Sequence, residues 1–171
     1  MRHSVLHRFD LWARSLVPFS LAALLVVLSL APVRLPGFGA IAPWLPLIAV
    51  YFWSAHRPDL LPVWAVFLLG LFCDLATGGP LGVSSIALML AQLAVKSQRR
   101  HIVPQPFVVQ WFFFAVFAIL AEVVQLALNA IAASELIDAR PALFQALSTI
   151  AAYPLFAWLF SQAQRSLLRT Q

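Results

Sequence analysis

GLFCDLATGGPLG, residues 70–82, decides how this chain is read. It starts inside an apolar run and places an acid, Asp74, within that run. It then breaks into a glycine/proline turn and enters a second apolar run. Gly78 and Gly79 permit the positive φ that a sharp reversal needs, and Pro80 suits the first turn of a following helix. A carboxylate inside apolar sequence is costly unless something compensates it.

Composition identifies the solvent. The chain has 171 residues, 63% of them hydrophobic and 10% charged, with a mean hydropathy of +0.91. Soluble domains average about 45–50% apolar and about 25% charged. The reading is an all-α integral membrane protein forming a single polytopic domain over residues 1–171. The one cysteine, Cys73, lies in an apolar run, which excludes a disulfide framework and a cysteine metal site. The net charge of +5 does not point to nucleic acid, because the few basic residues sit between apolar runs.

Six runs are candidate spans: about 15–33, 35–55, 60–76, 81–95, 106–133 and 141–161. A span needs roughly 20 apolar residues. The fourth run is short and is expected to be steep or extended by its flanks. The fifth is expected to begin near Pro106. The first run has 19 residues and no clear A-x-A site, so it reads as a span rather than a cleaved signal, whose apolar core is about 7–15 residues. With six spans, Arg2, Arg8, Arg14, Arg57, Lys96, Arg99, Arg100, Arg165 and Arg169 fall on one side, and only Arg34 and Arg140 on the other. That asymmetry places both termini in the cytoplasm. Merging or splitting any one span scrambles it.

The third span then runs outward, and Asp74 lies about 5 Å below the outer turn. Gly70, Asp74 and Gly78 would share one helix face. Two readings of Asp74 stand side by side. It caps the next helix by accepting its free N–H groups, in which case asparagine should replace it almost silently. Alternatively it contacts a partner or substrate. The turn is no phosphate loop, since it lacks the lysine of GxxxxGK[ST] and a preceding strand.

A second acid, Glu122, lies about 24 Å into the fifth span, also toward the outer side. Ala115, Ala118, Glu122, Gln125 and Asn129 form one face that cannot lie against lipid. Gln145, Ser148, Thr149 and Ala152 on the sixth span, and Ser84, Ala87, Ala91 and Ala94 on the fourth, are matching small or polar faces. Two acids and a polar stripe at similar depth suggest one outward-opening groove. At the inner break RPDLLP, residues 57–62, Arg57, Pro58 and Asp59 end one helix and begin the next, with Asp59 expected as N-cap. The pair Arg57 and Asp59 is also a candidate docking point for a cytoplasmic partner.

Catalysis finds no constellation. His3, His7, His56 and His101 all fall in cytoplasmic segments, so neither Asp74 nor Glu122 has the histidine that a serine protease or metal site needs. No cofactor is implied. Trp44, Phe52, Trp53, Trp111, Phe112, Phe113 and Phe114 read as interface belt and lipid-facing surface.

With these features assembled, the chain resembles the MreD family of bacterial rod-shape proteins. RPDLLP, the basic break after the fourth span, and above all the D-x-x-x-G-x-P-L-G pattern of Asp74, Gly78, Pro80, Leu81 and Gly82 carry the resemblance. It implies a non-enzymatic scaffold of the bacterial inner membrane that binds MreC within the elongation (peptidoglycan-synthesis) machinery. That machinery joins MreB filaments to RodA and a class B penicillin-binding protein, with MreB a possible partner at the cytoplasmic face. The family is similar in architecture to the substrate-binding subunits of energy-coupling-factor transporters, so a vitamin-like binding subunit is the alternative. Membrane lipids are partners in either case.

Overall fold

The computed structural model describes residue 24, residues 42–134 and residues 138–168. Apart from residue 24, the expected first span lies outside the described residues, as do residues 34–41 and Arg2, Arg8, Arg14 and Arg169. Among the described residues there are five long helices and no strand. We label them α1 (Leu45–His56), α2 (Val63–Thr77), α3 (Val83–Ile102), α4 (Phe107–Ala133) and α5 (Arg140–Leu168).

Of the run expected to span 35–55, the described residues 42–44 are not helical and α1 begins at Leu45. Pro46 falls in the first turn, where a missing N–H is harmless. Pro58 drives Arg57 out of helical geometry, to φ −142° and ψ 68°, and ends α1 there. Twelve residues reach about 18 Å, well short of a bilayer core of about 30 Å. Eleven of those twelve are buried. A helix that is apolar all round belongs inside, and α1 lies at the centre against α2, α3 and α5. This corrects the aromatic reading: Trp44, Phe52, Trp53 and Phe114 are core residues, whereas Trp111 and Phe112 are exposed. Tyr51 meets Phe114 and Tyr153 edge-on, with ring centres 5.0 and 5.6 Å apart, and Phe114 stacks on Tyr153 at 4.1 Å.

Two connections differ from expectation. α2 begins after Pro62, which occupies the N-cap position with no side-chain cap, and Asp59 is an exposed turn residue. Prolines at 58 and 62 hold the chain non-helical until Val63, too late for Asp59 to reach the first free N–H groups. Pro80 likewise does not start α3. It lies in the turn, its carbonyl accepts the Val83 N–H at 3.5 Å, and Gly82 is the N-cap. The left-handed positions are Gly78, at φ 70°, and Gly82, at φ 97°, rather than Gly79.

α3 carries the packing, lying against α2, α1 and α4. Gly70 sets its approach to α2. A Cβ there would overlap the Ser85 backbone, 2.5 Å from its nitrogen. The Ser85 hydroxyl reaches back across this contact to the Phe67 carbonyl at 3.0 Å. α4 and the Arg140–Gln162 part of α5 are long and apolar enough to cross a membrane, with mean hydropathies of 2.3 and 1.5. Only 22% and 28% of their most apolar windows are buried, so most of that surface needs an apolar surround rather than water.

Candidate functional site

Asp74 sits in the last turn of α2 and is 2% exposed. Its carboxylate points across the turn to the start of α3. Oδ2 accepts the Gly82 N–H at 2.7 Å and Oδ1 accepts the Ser84 N–H at 3.0 Å. Those are the N-cap and N2 donors, both among the first-turn N–H groups that α3 cannot satisfy itself. The Asp74 carbonyl accepts the N–H groups of Gly78 and Gly79, closing α2 with Gly78 in left-handed geometry. One residue therefore ends one helix and starts the next, and the turn between them is held from both sides. Pro80 and Leu81 are exposed at its tip, and Gly82 is half-buried.

The polar stripe of α4 joins this arrangement through Ser84. Gln125 Nε2 lies 3.4 Å from the Ser84 hydroxyl oxygen. Glu122, one turn earlier, is 5% exposed, and Asn129 is half-buried on the same face. Oε1 of Glu122 and Oε1 of Gln125 have no hydrogen-bond partner. Asp74 and Glu122 thus differ in kind: the first is fully engaged, the second is a buried acceptor without a donor. Among the described residues, no group of three or more His, Cys, Asp or Glu comes together as a metal site.

Residues 10–165 match the family model described as rod shape-determining protein MreD. The chain belongs to the MreD family. No curated protein and no solved structure matches it. As an MreD-family chain it is a membrane protein with a role in rod-shape determination.

The RPDLLP break of this MreD-family chain is held differently from the turn after Asp74. Arg57 and Pro58 are half-buried and Asp59 is exposed, at the opposite end of α2 from Asp74. The Leu61 carbonyl, stranded before α2, accepts Nε2 of Gln92 at 2.8 Å and Nζ of Lys96 at 3.3 Å. Burial pushes the Lys96 ammonium below its ordinary value, and the Asp59 carboxylate pulls the other way. At the start of α1, the Trp44 N–H donates to the Thr149 hydroxyl at 2.8 Å, and that hydroxyl donates to the Gln145 carbonyl. Within α5, Pro154 leaves the Ile150 carbonyl without its helical donor. The indole N–H of Trp111 takes that place at 2.9 Å.

Gln92 and Trp111 were not singled out from sequence for these roles. Gln92 is a polar residue within the apolar run of α3, one turn before Lys96, and that spacing is the signal in sequence. Pro154 marks a free carbonyl four residues earlier, but nothing in sequence says which donor reaches it.

Proposed function

We propose that the chain is a non-enzymatic, multi-pass scaffold of the cell-elongation machinery. In this reading it forms a six-span bundle in the bacterial inner membrane, with both termini cytoplasmic and an architecture like energy-coupling-factor binding subunits. MreC is its direct partner. RodA, the class B penicillin-binding protein and MreB are reached through the same assembly, and Arg57 and Asp59 are the cytoplasmic docking candidates for MreB. The observation that carries the reading is the family match together with the built outer turn. Asp74, Gly78 and Gly82 give that turn one shape, and Leu81 stands at its tip, 65% exposed. A stiff turn that presents an apolar side chain suits a partner's surface.

The transporter-subunit alternative asks for an outward pocket between Asp74 and Glu122. It is disfavoured by Asp74 being buried with both oxygens engaged. Purification from native membranes separates the readings. The scaffold reading expects MreC in the eluate at defined stoichiometry. A vitamin-like molecule bound without MreC would overturn it.

A further inference from the structure

A cleft of about 410 Å3 lies where the end of α1, the start of α4 and the second half of α5 meet. Its floor is Phe52 and Tyr153, which are 3% and 1% exposed, and its rim is Phe107 and Trp158, which are 48% and 61% exposed. Its walls are mainly aromatic and apolar, with His56, Gln110 and Ser161 as the polar part of the lining. A second hollow of about 600 Å3 is lined by Lys96, Ser97, Arg99 and Arg100 with Val103 and Pro104. The two adjoin. Gln110 lines the cleft, and its Nε2 donates to the carbonyl of Val103, which lines the basic hollow, at 3.2 Å. Arg99 and Arg100 are exposed. The first turn of α4 has no side-chain cap and no acid.

We propose that these two hollows form one binding site for an anionic phospholipid. The phosphate sits over Arg99 and Arg100, and one acyl chain enters the cleft past Trp158. The charge asymmetry selects the lipid class. The hollow gathers three cations, Lys96, Arg99 and Arg100, and no acid is among the residues that line it. A zwitterionic lipid brings its own cation into that field and is disfavoured. The cleft supplies what a bare basic patch lacks, a slot of ligand-pocket size for a chain. The site lies at the end assigned to the cytoplasm, but its chemistry is independent of that assignment.

The test is native mass spectrometry of the full chain in detergent with equimolar phosphatidylglycerol and phosphatidylcholine. Detergent has no sidedness, and no MreC is present, so the outcome is independent of the scaffold reading. We expect retained phosphatidylglycerol at least about tenfold over phosphatidylcholine. Arg99→Gln with Arg100→Gln, both exposed, should lower phosphatidylglycerol binding about 25-fold, roughly fivefold per charge, with phosphatidylcholine unchanged. Ala157→Phe, which fills the cleft, should reduce lipid retention while soluble glycerol phosphate competes no better than before. Phosphatidylglycerol brominated on its acyl chains gives a readout on the unaltered protein. It should quench a fluorescence component that Trp158→Phe removes. Equal retention of the two lipids, an unchanged preference in the arginine variant, competition by glycerol phosphate as strong as by the lipid, or no quenching of Trp158 would each overturn the proposal.

Discussion

Replacing Asp74 by asparagine should not be silent, although asparagine is among the best helix caps in general. Here the two N–H donors use separate oxygens, Gly82 on Oδ2 and Ser84 on Oδ1. Asparagine keeps one acceptor and turns an N–H2 toward the other donor. The buried Ser84 N–H is the costlier one to strand, so the amide oxygen should stay with it and leave the half-buried Gly82 N–H facing the amide nitrogen. One lost hydrogen bond to a charged group, about 1.5–3 kcal/mol, sets the scale for Asp74→Asn. Asp74→Ala loses both bonds, and water can recover part of the Gly82 loss, giving about 2–4 kcal/mol. The assay is thermal unfolding of the purified chain in one detergent, with wild type, Asn and Ala compared at matched concentration. The order should be wild type, then Asn, then Ala. An Asn variant within about 0.5 kcal/mol of wild type would refute the two-oxygen argument, since a single-acceptor cap predicts that result.

Other substitutions test other joints. Gly70→Ala should force α2 and α3 apart at Ser85 and cost at least the upper part of the 1–3 kcal/mol range of overpacking, read as a lower Tm or lost membrane accumulation. Trp111→Phe should cost about 1–2 kcal/mol by stranding the Ile150 carbonyl, and Pro154→Ala should rescue it by restoring a backbone donor, so a double-mutant cycle should show coupling. Burial lowers the pKa of His56 in the folded chain, against the raising effect of the Phe52 carbonyl. The unfolded chain therefore takes up that proton first: stability is full above about pH 6.5 and falls as the pH drops through the lowered folded value. A Tm–pH profile of His56→Gln should be flatter over that interval than wild type.

The helical architecture and the reach of Asp74 to the next helix follow from local patterns, because apolar runs, glycine turns and an acid three residues before a turn are all near neighbours in sequence. The central position of α1 does not. In a membrane chain the lipid-facing and core-facing residues are equally apolar, so Phe52 and Trp53 look like Phe112 until packing separates them. Asp59 has the chemistry of a cap but the wrong distance, since Pro62 delays α2. The donors for the Leu61 and Ile150 carbonyls lie 31 and 39 residues away. Sequence shows only that such carbonyls exist.

In the proposed function, the turn shaped by Asp74, Gly78 and Gly82 presents Leu81 to MreC. Leu81→Asp tests it most directly, because Leu81 is exposed and the change should leave the fold intact. The measurement is recovery of MreC with the Leu81→Asp chain at matched membrane abundance and unchanged Tm. The account predicts loss of MreC to background. Recovery equal to wild type would contradict it and remove this turn from the interface.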